Sequence, residues 1–272
     1  MLVLRITSFL ALLIATPLLA SACGDDDGAD GGLELPADQA LARSADALAD
    51  ADSFRLAFEG TVGVEGEGLD IPALDSLPGE ETAFEGEGAV LRPDRARLDV
   101  DVDVGPIALP ATVVRVGDDL YVEALGQAVQ VEAPAGQARL LDPGALAQTA
   151  LGWVEDPVET GSESRDGVAT VRIEGSVDGE AVSSALGGLL GDGALTDAVS
   201  EGTVVVWVGA DDLLPRRIEV DYTATTEQAG AEGAVSLTLE ADLSDYGDEV
   251  TIEAPEGARP LELDDLPGLL GP

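Results

Sequence analysis

Apolar and polar residues alternate along most of this chain. In SFRLAFEGTVGVEG, residues 53–66, Phe54, Leu56, Phe58, Val62 and Val64 stand against Arg55, Glu59 and Glu65. A period of two puts the first set on one side of an extended backbone, so the stretch predicts a strand with one wet face. RARLDVDVDV, residues 95–104, repeats the pattern with Leu98, Val100, Val102 and Val104. PRRIEVDYTATT contributes Ile218, Val220 and Tyr222, and AVSLTLEADL contributes Val235, Leu237, Leu239 and Leu243. Between the runs the chain carries Gly, Pro and Asp, as tight reversals require. Hairpins are predicted at Gly117-Asp118-Asp119 within TVVRVGDDLYVEA and at Asp166-Gly167 within ETGSESRDGVATVRIEGSV.

Four stretches depart from that period. PADQALARSADALADAD, residues 36–52, sets Leu41, Ala45 and Leu48 at helical spacing with acids on the other side. DPGALAQTALGWV offers Asp142 as an N-cap and Pro143 at the first helical position. DGEAVSSALGGLLGDGALTDAVSEG has Val182, Leu186 and Leu189 on one face but is punctuated by Gly187-Gly188 and Gly191, so it reads as a broken helix or two short ones. TVVVWV, residues 203–208, is apolar on both faces and must be covered on both, which places it in mid-sheet. The order of elements predicts the α+β class, a large antiparallel sheet with a few helices packed on one side.

The first 22 residues are of another kind. One basic residue, Arg5, precedes an apolar stretch from Ile6 to Leu19, and small residues lead to Cys23, the single cysteine. This is the pattern of an export signal, interrupted by Thr16-Pro17 and short for a membrane span. Ala20-Ser21-Ala22-Cys23-Gly24 resembles the lipobox of bacterial lipoproteins, in which the cysteine sulfur receives a diacylglycerol and the signal is cut before it. A lone thiol in an exported chain has no internal disulfide partner, which suits an anchor better than a nucleophile. At roughly 0.8 kcal/mol per buried methylene, two acyl chains hold a protein durably on a membrane. GDDDGADGGLEL, which follows, has too little apolar surface to fold and reads as a tether. The expected organisation is a signal over 1–22, a lipidated cysteine and acidic tether over 23–35, and one domain over 36–272. The expected location is extracytoplasmic, on the cell membrane.

Charge removes several functions. Of 272 residues, 54 are acidic and 13 are basic, all of the latter Arg, for a net charge of −41. Such a chain does not bind nucleic acid, whose affinity comes from phosphates neutralised by Lys and Arg, and it has no polybasic grip on anionic lipid. Without His or Lys, and with the cysteine acylated, the commonest general base, the Schiff-base amine and the free thiol are missing. Asp99, Asp101 and Asp103 recur at spacing two, but the sixth and twelfth positions of a calcium loop counted from Asp99 are Val104 and Pro110. On a strand these aspartates line the wet face. The reading is non-enzymatic, with neither cofactor nor metal.

GTVVVWVGADDLLPRRIEVDY joins an apolar strand containing Trp207, an acidic turn, Leu214-Pro215 and an Arg-bearing strand. This segment resembles one found in the mycobacterial LppX/LprA/LprF/LprG lipoproteins, relatives of the LolA-like lipoprotein carriers. LARSADALADADSFRLAFEG matches that family's opening helix and first long strand. DDLYVEALGQAVQVEAP matches its central hairpin, and DGVATVRIEGSVDGEAV its strand running into a helix. The resemblance implies a half-open antiparallel β-barrel, a large curved sheet with helices over its concave face, enclosing an apolar cavity for the acyl chains of a lipid or glycolipid.

On that reading the cavity wall is drawn from the inward strand positions. The candidates are Phe54, Leu56 and Phe58, then Leu98, Val100 and Val102, then Val204 and Val206, then Ile218, Val220 and Tyr222, and last Leu237 and Leu239. Each is equally an ordinary core position by pattern alone. Residues 187–193, rich in Gly, are the expected mobile rim. Expected partners are envelope lipids or glycolipids as cargo, the membrane through Cys23, and a membrane transporter. The alternatives are an envelope sensor or scaffold with a filled core, and a carboxylate-dependent hydrolase, for which the sequence names no pair of acids.

Overall fold

The computed structural model describes residues 33–66, 81–104, 107–132, 143–182, 199–228 and 231–262. Cys23, the export signal, Asp142 and the Gly187–Gly193 rim lie outside them.

Twelve strands form one sheet. β1 (Ser53–Gly66), β2 (Glu81–Leu91), β3 (Arg95–Val104), β4 (Ile107–Val116), β5 (Asp119–Ala124) and β6 (Gln127–Glu132) make an antiparallel meander. β7 (Val154–Arg165), β8 (Val168–Val177), β9 (Val199–Gly209), β10 (Pro215–Gln228) and β11 (Ala231–Ser244) make a second. The two join where β1 pairs with β11, from Arg55↔Ser244 to Gly66↔Gly233. β12 (Arg259–Glu262) adds to the outer side of β6, so the order is β12-β6-β5-β4-β3-β2-β1-β11-β10-β9-β8-β7.

The sheet does not close: β7 and β12 are its two edges. The expected large sheet with few helices is present as an open sheet. Its pairing is antiparallel except between β12 and β6, which run parallel. That exception follows from the path of the chain. After β11 it crosses the face of β2–β5, tied by Ser53 Oγ donating to the Asp248 carbonyl at 2.6 Å and Arg95 Nη1 donating to the Ile252 carbonyl at 2.7 Å. Ile252 packs there with Ala89 and Val114. A strand arriving at the far edge by such a crossing is free to run parallel.

The edge strand β7 is guarded by its own sequence. It carries Glu155, Asp156, Pro157, Glu159 and Glu163, and its register against β8 shifts twice, between Glu155 and Val158 and between Glu159 and Gly161. Charge, proline and bulges together deny a neighbouring chain a flat row of free hydrogen-bonding groups.

Two helices lie on the apolar side. α1 (Ala37–Asp50) buries Ala40, Leu41, Ser44 and Leu48, the stripe predicted from its spacing. α2 (Pro143–Leu151) starts at the expected proline and buries Ala150 and Leu151. They touch each other, α1 also contacting β7, β9 and β10, and α2 reaching β3. A helical turn opens at Gly179, where Asp178 caps it: its Oδ1 accepts from the Ala181 N–H at 3.0 Å. Among the described residues no helix is long and apolar enough to cross a membrane.

The turns obey local chemistry. β7 and β8 are joined through Asp166 and Gly167, both with positive φ, 49° and 81°. That pair fits the twist of a two-residue hairpin, and Asp-Gly is among the sequences that tolerate it. β9 is buried on both faces as its sequence demands: Val204, Val206 and Val208 face the helices, while Val205 and Trp207 face away. Trp207 is covered by guanidinium groups, Arg165 at 4.6 Å and Arg172 at 5.5 Å from its ring centroid.

Candidate functional site

Strand register decides which side chains share a surface. Phe58 pairs with Gly86, Gly86 with Val100, and Val100 with Ala111. One row over, Leu56, Gly88, Leu98 and Val113 align, and on the other side Gly60, Phe84, Val102 and Leu109. Through β11 and β10 the same face continues with Leu239, Leu237, Val220 and Tyr222, and reaches Val204 and Val206 on β9. Every wall position expected from the sequence therefore lies on one face of the sheet, the face that carries α1 and α2.

That face falls into two halves. Over β8–β11 it is filled: Val204, Val206, Ile218, Val220, Tyr222 and Leu237 are buried in one cluster with Leu41 and Leu48 of α1 and Leu151 of α2. Phe54, at the start of β1, belongs to the same cluster. Over β1–β4 only the end holding Phe54, Val90 and Ala96 is packed, and the apolar side chains beyond it are half-buried. Leu56 and Leu239 border the packed cluster, while Phe58, Leu98, Val100 and Val102 are in no buried cluster among the described residues. The filled half is core in this structure, and in the other half Phe58, Leu98, Val100 and Val102 stay partly open.

Phe84 belongs to that surface and was not singled out by sequence. Its strand reads ETAFEGEGAVL, where Gly86 and Gly88 interrupt the alternation and hide Phe84 and Val90 as members of one face. The glycines have a steric cause. A Cβ on Gly86 would lie 2.5 Å from the Phe58 ring, and one on Gly60 would lie 2.5 Å from the Phe84 ring. Each phenylalanine thus reaches over the glycine paired with it across the β1–β2 ladder. The two rings are 6.2 Å apart and tilted by 44°, a favourable aromatic arrangement. The useful signal in the sequence is reciprocal, Phe58-x-Gly60 against Phe84-x-Gly86.

The opposite face is acidic and hollowed. A cavity of about 820 Å³ is lined by residues from β4, β3, β2, β1, β11, β10 and β9 in turn, including Glu59, Glu85, Asp101, Asp103, Glu219 and Glu240. Asp99 faces the same side. It accepts from Arg97 Nε and Nη2 at 2.9 and 2.7 Å and from Thr112 Oγ1 at 2.6 Å. The Arg97 hydrogen bonds hold its carboxyl below the ordinary aspartate range, against the opposing pull of desolvation. Arg217 is matched by Glu219 at 2.8 Å, Asp242 at 3.1 Å and Glu240. With its arginines neutralised in this way, this face repels anions. Among the described residues no group of acids is placed to hold a metal ion.

The arrangement sets a partly open apolar area on one face of the sheet and an acidic hollow on the other. The sequence profile of the LppX_LprAFG lipoproteins matches residues 37–252, from the first residue of α1 to Ile252 on the crossing segment. The chain belongs to this lipoprotein family. Solved structures similar to this LppX_LprAFG chain include LprF from Mycobacterium bovis, 19% identical over 81% of this chain and 97% of that one, with a TM-score of 0.46. LppX from Mycobacterium tuberculosis is similar at 17% identity over 79% of this chain and 97% of its own, with a TM-score of 0.45. A LolA superfamily protein from Nitrosomonas europaea is 13% identical over 80% of this chain and 95% of its own, with a TM-score of 0.28. No curated protein matches the chain.

Proposed function

We propose that this lipoprotein binds the acyl chains of a lipid or glycolipid on the half-covered apolar face of β1–β4 and carries it within the cell envelope, held to the membrane by a lipid on Cys23. The observation that carries the reading is the division of one continuous apolar face into a half filled by α1 and α2 and a half whose leucines, valines and phenylalanines remain partly open. At roughly 25 cal/mol per Å², an acyl chain laid along those rows gains several kcal/mol by leaving water. Binding of that kind needs no covalent step, in keeping with a chain that has neither His nor Lys.

The carboxylate-lined face bears on the cargo. A headgroup projecting toward it meets uncompensated negative charge, so sugar, zwitterionic or neutral headgroups fit this molecule better than polyanionic ones. The test is mass spectrometry of an organic extract of residues 24–272, purified without detergent from a host that makes envelope lipids. Stoichiometric two- or three-chain lipid is the expected result. A clean extract, repeated after incubation with envelope lipids, overturns the carrier reading in favour of a sensor or scaffold.

A further inference from the structure

We propose that Phe58 and Phe84 set the width of the acyl chain this face admits, an inference that rests on the lipid-binding reading above. The two rings stand 2.5 Å from where side chains at Gly86 and Gly60 would begin, positions that the Asp99 and Thr238 carbonyl oxygens also crowd. Gly88, beside Gly86 on the same strand and face, extends the bare backbone, with the Leu98 side chain 2.8 Å from where its Cβ would be. The sheet therefore carries three bare glycines on one face, with Phe58 over Gly86, Phe84 over Gly60 and Leu98 beside Gly88.

The consequence is geometric. With the rings in place the surface between β1 and β3 is a shallow lane, bounded by Leu56 and Leu98 at one end and Val102 at the other. An unbranched chain lies in such a lane with methylene contact along its length. A methyl branch needs depth, and the rings take that depth away. Removing one ring uncovers the glycine beneath it and deepens the lane there by about the bulk of the ring, so a methyl branch finds room and contact where the ring stood.

Two variants separate selectivity from folding. Phe84 borders the packed cluster, so Phe84→Ala also loosens the core; Phe58 lies outside every buried cluster among the described residues, so Phe58→Ala deepens the same lane with less disturbance. The full chain is anchored in dioleoylphosphatidylcholine vesicles and exposed to two photoactivatable phosphatidylcholines of equal acyl carbon number, one with straight and one with methyl-branched chains. Crosslinks to the β1–β4 peptides are counted by mass spectrometry. The wild type favours the straight probe, and each variant lowers the straight-to-branched ratio by about tenfold, the usual discrimination for one methylene in an apolar pocket. A ratio equal to the wild type's in folded Phe58→Ala, with both probes still crosslinking to β1–β4, overturns the inference and leaves lipid binding intact. Absence of any crosslink to β1–β4 in the wild type overturns the lipid-binding reading and this inference with it.

Discussion

Asp99 and Tyr246 titrate against the fold in opposite directions, and each shift has a visible cause. Arg97 and Thr112 stabilise the ionised Asp99 carboxylate, so its folded value lies below the unfolded one. That contribution is complete above the ordinary aspartate range, about pH 4, and fades as pH falls through the lower folded value. In Asp99→Asn, thermal melts between pH 7 and 2 show a smaller loss on acidification than the wild type shows. Tyr246 is the reverse: burial favours its neutral phenol and pushes its pKa up. Its ring packs 5.8 Å from Phe54 and 4.9 Å from the Arg216 guanidinium, and its hydroxyl donates to the Pro215 carbonyl. The neutral form is fully populated in both states below about pH 10, and stability drains away as pH climbs past that value and the unfolded chain ionises first. Tyr246→Phe melts lower at neutral pH because the Pro215 carbonyl loses its donor, yet loses less of its stability between pH 9 and 11.

At the scale of elements, one apolar face is packed in one half and partly open in the other, and substitution separates the two. Val206 on β9 is fully buried beneath the helices, whereas Val100 on β3 is half-open and outside the packed cluster. Val206→Asp buries an unpaired carboxylate and abolishes cooperative folding. Val100→Asp places the charge at an accessible surface, shifts the melting temperature by a few degrees at most, and sharply lowers lipid loading measured by extraction. The sequence foretold both positions as apolar strand residues, Val100 by alternation and Val206 by an unbroken apolar run, but such patterns record only that a side is shielded from water. What does the shielding is written elsewhere, in the stripes Leu41–Leu48 and Ala150–Leu151 and in where those helices dock. The boundaries of β3 and the Asp166-Gly167 turn were legible because a charge at every second position and a left-handed pair leave little choice. β2 was not legible, since its glycines answer to Phe58 and Leu98 on neighbouring strands. β12 was not either: four residues paired with β6 from across the sheet carry no local signature.

Over the whole molecule, charge is the dominant unspent term. A net −41 is spread over a chain whose sheet gathers Glu59, Glu85, Asp101, Asp103, Glu219 and Glu240 around one hollow, with Arg217 matched by several acids at its margin. Like charges facing one another across a concave surface are focused by its low-dielectric walls, and the compact state bears that repulsion more than the expanded one does. Salt shortens the reach of the interaction from roughly 30 Å at 0.01 M to about 3 Å at 1 M. The melting temperature therefore rises with sodium chloride, most steeply at the low end, where a protein held chiefly by surface ion pairs would instead lose stability. On the proposed lipid-binding reading, the same field acts on a lipid before contact. An anionic lipid approaching from a vesicle is repelled by the molecule as a whole, while a zwitterionic or sugar-headed lipid with the same acyl chains is not. Stopped-flow transfer of a fluorescent acyl chain from vesicles measures the difference. Uptake from anionic vesicles quickens with salt, and uptake from neutral vesicles stays nearly level. Once the chains are seated, release from both is governed by the apolar rows of β1–β4 and is insensitive to ionic strength. An uptake rate from anionic vesicles that falls with salt places an attractive basic site on the approach path, and the repulsive-field account is then wrong.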